Sequence, residues 1–119
     1  MLILTEKIPK EKLNSLETLG ESEVFFEDMI KCVVDIEKEL LAINAELHSD
    51  LEKYLLDKGS DNRNLYGINI ILDDYEIEFD SLINPPRNRE AGFPRVGRDV
   101  ADPTARSKIV EVVNKWIEL

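Results

Sequence analysis

Apolar and polar residues alternate in four separate stretches of the chain, at residues 30–36, 41–45, 68–72 and 77–79. A period of two places alternate side chains on opposite faces of an extended strand, so each stretch predicts a β-strand. The charged residues 37–39 predict a hairpin connection between the first two strands. These four strands are the framework of the predicted fold.

A helical repeat replaces the alternation at residues 46–58, where apolar side chains recur at i, i+4, i+7 and i+8. This stripe predicts an amphipathic helix. A last helix is predicted to begin at Asp102, a good N-cap, with Pro103 in the first helical position. At the start of the chain, residues 2–8 predict a short strand and residues 9–19 predict a helix.

The order of these elements is a strand and a helix, followed by two strand–strand–helix units. We therefore predict a single α+β domain of 119 residues, in which residues 1–27 form an N-terminal strand-helix arm and residues 28–119 form the core. A mainly antiparallel four-stranded sheet with its helices on one face would bury every apolar stripe. Its other face would expose a mixture of apolar and polar side chains, which suits a partner or a second subunit and equally suits ordinary half-exposed strand residues.

The chain is acidic, with 15 Lys and Arg against 25 Asp and Glu and a formal charge of −10. Because nucleic acids and membrane surfaces are also anionic, this charge argues against binding to either of them. Cys32 is the only cysteine and lies in an apolar stretch, so we interpret it as a buried core residue. Residues 2–4 are too few for a signal peptide, which indicates a cytoplasmic location.

A polar segment at residues 84–101 contains four arginines and is predicted to be a long loop without secondary structure. Residues 87–119 carry seven Lys and Arg against five Asp and Glu, so positive charge is concentrated after the fourth strand. Guanidinium groups recognise phosphate and carboxylate groups through paired hydrogen bonds. The loop is therefore a candidate anion site, although its arginines could instead pair with carboxylates of the same chain.

His48 is the only histidine, and on a regular helix it faces Glu52, four residues later, rather than Asp50. A histidine in this position is typical of the boundary between core and surface, and it could also act as a general base. One histidine with scattered carboxylates does not form a metal motif. No nucleotide-binding glycine loop or nucleophile elbow is present, so the sequence indicates no metal and no cofactor.

Six short stretches resemble, in their order and approximate spacing, a family of short bacterial proteins catalogued only as a domain of unknown function. These stretches are Val34–Lys38, Ala45–His48 with Asp50, Gly59–Ser60, Leu65–Asn69, Ser81–Asn84 and Asp102–Pro103. The resemblance covers residues 29–117 and leaves out the N-terminal strand and helix. It implies a common fold without a reaction. It also implies an Asn-Arg pair after the fourth strand, for which Asn88–Arg89 and Gly97–Arg98 are alternative counterparts.

Three functional hypotheses follow from these patterns. The first is a small cytoplasmic ligand-binding or interaction module whose anion-facing residues are Asn84, Arg87, Asn88 and Arg89, with contributions from His48 and Asn69. The second is a small hydrolase or transferase that acts on a phosphate or carboxylate compound, with His48 or a carboxylate as the general base. The third is a homodimer that uses the uncovered sheet face or a sheet edge as its interface.

Overall fold

A five-stranded antiparallel sheet forms the centre of the molecule in the computed structural model, which describes all 119 residues. The strand order is β1-β4-β3-β5-β6. The strands are β1 (Leu2–Ile3), β3 (Met29–Asp35), β4 (Leu40–Ile43), β5 (Leu65–Ile71) and β6 (Ile77–Glu78). The remaining strands, β2 (Ile8–Pro9) and β7 (Ile117–Glu118), pair in parallel as a separate small sheet. The predicted α+β class is confirmed, whereas the predicted four-stranded sheet is wrong because β1 pairs with β4 at the edge.

The predicted hairpin between β3 and β4 is present, and the fully buried Asp35 organises it. The Asp35 carboxylate accepts hydrogen bonds from the backbone N–H groups of Glu37 and Lys38, each at 2.9 Å. Its other oxygen accepts from the Ser60 hydroxyl at 2.6 Å. Two of the stretches that carry the family resemblance are thus joined by this one carboxylate.

The three α-helices are α1 (His48–Asp57), α2 (Asn84–Glu90) and α3 (Pro103–Trp116). The predicted start of the last helix is confirmed, because the Asp102 carboxylate accepts a hydrogen bond from the Thr104 N–H at 3.0 Å. None of the helices combines the length and the apolar composition needed to cross a lipid bilayer.

The helices lie on opposite faces of the sheet, which contradicts the prediction that they share one face. Cys32 and Val34 belong to a core cluster that includes Ile109 of α3. Val33 points to the other side of β3 and packs in a second cluster that includes Leu51 of α1. The sheet face that was expected to be uncovered is therefore partly buried beneath α1.

Two further predictions of local structure need correction. The predicted helix at residues 9–19 consists of two short 3-10 turns, Lys10–Asn14 and Leu16–Leu19, which bury Leu13 and Leu16. The segment from residue 84 begins with α2 rather than with loop. Its two prolines occupy the first turn, where their missing N–H groups have no helical partner to lose.

Candidate functional site

A cavity of about 220 Å³ lies at the N-terminal end of α1. Four separate parts of the chain line it: β3, the start of α1, the turn before α2 and the segment after α2. The lining residues are Lys31, Leu47, His48, Ser49, Leu82, Ile83 and Arg98. No side chain accepts a hydrogen bond from the first backbone N–H groups of α1.

His48 is the first residue of α1 and is buried at the cavity wall. Its Nε2 lies 2.8 Å from the carbonyl oxygen of Ile68, which can only accept, so Nε2 carries the proton in the neutral ring. Burial lowers the pKa of His48, and the charge of Lys31 also lowers it. The hydrogen bond to Ile68, the Asn69 side chain and the charge of Asp80 act in the opposite direction. The histidine is therefore neutral near pH 7, with its lone pair on Nδ1.

Gly67 of β5 allows His48 and Ser81 to approach the strand closely. A Cβ atom at this position would overlap the buried Ser81 side chain and would lie 3.2 Å from His48 Cδ2. The His48 ring and the Ser81 side chain can therefore pack directly against the backbone of β5 only because residue 67 has no side chain.

Asn69 follows on the same face of β5 and connects this region to the edge of the sheet. Its amide nitrogen donates to Glu78 Oε1 at 2.8 Å and to the Asp80 carbonyl oxygen at 3.3 Å. Its amide oxygen is buried and has no hydrogen-bond partner. The side chain favours the protonated form of His48, so it contributes to the electrostatic setting of the imidazole.

Two cationic side chains line the cavity, and they differ in their partners. Lys31 has no carboxylate partner, and its Nζ lies 4.9 Å from the centre of the Phe26 ring. Arg98 is half-exposed, and its Nε lies 2.7 Å from Asp80 Oδ1. The cavity is therefore lined by one lysine without an ion pair and by one arginine whose guanidinium group is paired with Asp80.

Asn84 and Asn88, two of the predicted anion-facing residues, bond to the protein backbone instead. Asn84 accepts from the Gly67 N–H at 2.9 Å, and it donates to the carbonyl oxygens of Gly67 at 3.0 Å and Arg98 at 2.9 Å. Asn88 donates to the carbonyl oxygens of Gly97 and Asp99 at 2.9 and 2.7 Å. Both side chains are buried and hold the segment that carries Arg98.

The two arginines of α2 have different environments. Arg87 is buried, forms an ion pair with Glu52 of α1 and donates from Nη1 to the Ile83 carbonyl oxygen at 3.1 Å. Arg89 is exposed and forms no ion pair. The structure thus brings His48 and Asn69 close together but does not gather the four predicted anion-facing residues around one space.

Sequence reasoning did not select Lys31, Ser49, Leu47 or Leu82 as site residues. Arg98 was included among the four arginines of the candidate anion loop and in Gly97–Arg98, one of two alternative counterparts of the family's Asn-Arg pair, but it was not chosen as a site residue. The position of Lys31 opposite Asn69 in the β3–β5 register would have been the useful signal, but it requires knowledge of the strand pairing. No three His, Cys, Asp or Glu side chains are grouped closely enough to hold a metal ion.

A comparison with family models matches residues 2–116 to a family described as "Protein of unknown function (DUF5674)". The predicted membership of an uncharacterised family is confirmed, and the match also includes the N-terminal segment that the sequence resemblance left out. No curated protein and no solved structure matches the chain. Because the family match covers nearly the whole sequence, the chain belongs to the family described as "Protein of unknown function (DUF5674)".

Proposed function

We propose that the chain binds a small anion, with a phosphate or carboxylate group, in the cavity at the start of α1. The observation that carries this proposal is the presence of Lys31 and Arg98 beside His48 and an uncapped helix N-terminus. Helix N-termini favour anions through their exposed N–H groups and the helix dipole, and lysine and arginine add full charges. The lysine, the arginine and the helix N-terminus come from different parts of the chain and line one cavity.

The charge distribution of the molecule favours anion binding in this cavity over the rest of the surface. The molecule carries a formal charge of −10, so most of its surface repels anions. Lys31 has no carboxylate to neutralise it, which leaves its charge available to a ligand. The volume of about 220 Å³ lies below the roughly 300–1,000 Å³ of sites for drug-sized ligands, which favours a small molecule.

In this proposal the residues predicted from the arginine-rich segment have supporting roles. Asn84 and Asn88 hold the backbone around Arg98, and Arg87 connects α2 to α1 through Glu52. Asn69 supports His48 from the sheet. Direct contact with the anion comes from Lys31, Arg98, Ser49 and the backbone N–H groups at the start of α1, while His48 forms part of the cavity wall.

Titration calorimetry with inorganic phosphate and with acetate tests the proposal. We expect Lys31→Ala and Arg98→Ala each to weaken binding about tenfold or more, because a hydrogen bond to a charged group contributes about 1.5–3 kcal/mol. Lys7→Ala and Arg95→Ala remove the same charges from exposed positions outside the cavity and serve as controls. Equal losses in all four variants would attribute the binding to overall charge, and no binding of either anion to the wild-type protein would refute the proposal.

A hydrolase or transferase is the second candidate, and the orientation of His48 favours it. Donation from Nε2 to Ile68 leaves Nδ1 without a proton, which is the state that a general base requires. His48→Gln retains a donor for the Ile68 carbonyl group but removes the base. If this candidate is correct, the variant should lose turnover of p-nitrophenyl phosphate or p-nitrophenyl acetate and still bind phosphate. Turnover that is unchanged in the variant would contradict a role for His48 as the base.

A further inference from the structure

We infer that the anion bound in this cavity carries an apolar tail of several carbon atoms, so that the ligand class is a small amphiphilic carboxylate or phosphate. The inference rests on the proposed anion site and specifies its ligand. Its basis is the pair of exposed leucines, Leu47 and Leu82, that line the same cavity as Lys31 and Arg98.

The exposure of these two leucines is high for large apolar side chains. Leu82 is 73% exposed, the highest value among the exposed large hydrophobic residues of the chain, and Leu47 is 52% exposed. A single exposed leucine needs no explanation, because apolar atoms form much of any protein surface. These two line the same small cavity as the buried Ile83, so the three form the apolar part of a wall that also contains Lys31 and Arg98.

The backbone fixes the apolar wall relative to the cationic group of Arg98. The Arg98 carbonyl oxygen accepts from the Ser81 N–H at 3.0 Å and from the Asn84 amide at 2.9 Å. Leu82 lies between these two donors in the chain. The turn that carries the most exposed leucine is therefore hydrogen-bonded to the backbone of the residue that supplies the guanidinium group.

This arrangement selects against anions whose remaining atoms are polar. Leucine and isoleucine side chains offer no partners to hydroxyl groups, so a sugar or nucleotide moiety against them would lose hydrogen bonds to water without replacement. An aliphatic or aromatic group would gain from leaving water there. A carboxylate or phosphate with a hydrocarbon tail satisfies both parts of the cavity.

A chain-length series of carboxylates tests the inference. We expect the affinity measured by calorimetry to increase from acetate to butanoate and hexanoate by about two- to fourfold for each CH₂ group, the upper value corresponding to complete burial. Gluconate has the six carbons of hexanoate but a polar chain, and it should bind no more tightly than acetate.

Variants separate the apolar contribution from the ionic one. Leu82→Ser should weaken the dependence of affinity on chain length, with a smaller loss for acetate than for hexanoate, whereas Leu82→Met should retain the dependence. Val24→Ser removes another exposed apolar side chain, away from the cavity, and should change nothing. If wild-type affinity does not depend on chain length while acetate still binds, the inference is overturned and the anion site remains. If no anion binds, the anion site itself is refuted and the inference falls with it.

Discussion

Arg87 and Arg89 lie two positions apart on α2, yet their side chains have opposite surroundings. The Arg87 side chain is 8% exposed and contacts Glu52 of α1, whose side chain is 22% exposed. Arg89 points to solvent. Positions two apart on a helix lie about 200° from each other, so a helix that is buried on one side separates them in this way. The sequence predicted equal roles for the two arginines because α2 was taken as loop.

Replacement of Arg87 should therefore destabilise the fold. We expect Arg87→Ala to lower the free energy of unfolding by about 2 kcal/mol, less than the 3–5 kcal/mol typical of a fully buried pair, because Glu52 keeps some contact with water. Arg89→Ala is the matched control and should remain within about 0.5 kcal/mol of the wild-type protein. Urea denaturation at pH 7 measures both values. Equal stability of the two variants would show that the ion pair with Glu52 contributes nothing.

At the scale of elements, periodicity predicted the strands and long helices well and the short elements poorly. The alternation in β3 and β5 and the stripe in α1 each extend over several residues, so the pattern is clear. The arrangement of helices on two faces was missed because Val33, Leu65 and Ala42 share their face with Lys31 and Asp35. That mixture suggested a half-solvated face, whereas α1 covers it.

The helix α2 organises the segment that follows it, although this segment has no helix or strand of its own. The Asn88 side chain supplies most of this order. Its oxygen accepts from the Ala101 N–H at 3.0 Å, and its nitrogen donates to Val96, Gly97 and Asp99. A single amide thus closes residues 96–101 onto α2. The spacing of residues in the sequence could not predict the hydrogen bonds of Asn88, because they depend on how the backbone of residues 96–101 folds back onto α2.

Removal of the Asn88 side chain should release this segment while the sheet stays intact. We expect Asn88→Ala to lower the free energy of unfolding by about 1–3 kcal/mol, since several partly buried backbone groups lose their partner. Amide hydrogen exchange should become faster at residues 96–101, with protection unchanged in β3 and β5. Asn62→Ala, at an exposed position, is the control. Uniformly faster exchange across the sheet would contradict the local role.

At the scale of the whole molecule, the candidate site depends on contacts between distant parts of the sequence. His48 follows β4, but its ring bonds to Ile68 in β5, and Lys31 reaches the same cavity from β3. The sequence selected His48 and Asn69, because their residue types carry recognisable chemistry. It could not select Lys31, and it could not single out Arg98 among the four arginines of residues 84–101, since the strand order and the closure of the 96–101 segment decide which cations lie beside the histidine.

The same contacts predict how the stability of the molecule depends on pH. Burial lowers the pKa of His48, and Lys31 adds to this effect, while Asp80, Asn69 and the Ile68 carbonyl group oppose it. In the unfolded chain His48 titrates near its ordinary value of 6.5, so below that pH the unfolded state binds more protons than the folded state. The contribution of neutral His48 is therefore complete above pH 6.5 and decreases as the pH falls from there toward the lower folded pKa.

We expect the free energy of unfolding of the wild-type protein to decrease between pH 7.5 and pH 5.5, measured by urea denaturation in buffers of equal ionic strength. His48→Gln should flatten this dependence, because His48 is the only histidine and glutamine does not titrate. A slope that is the same in the variant would mean that another group, rather than the buried imidazole, controls the response to acid.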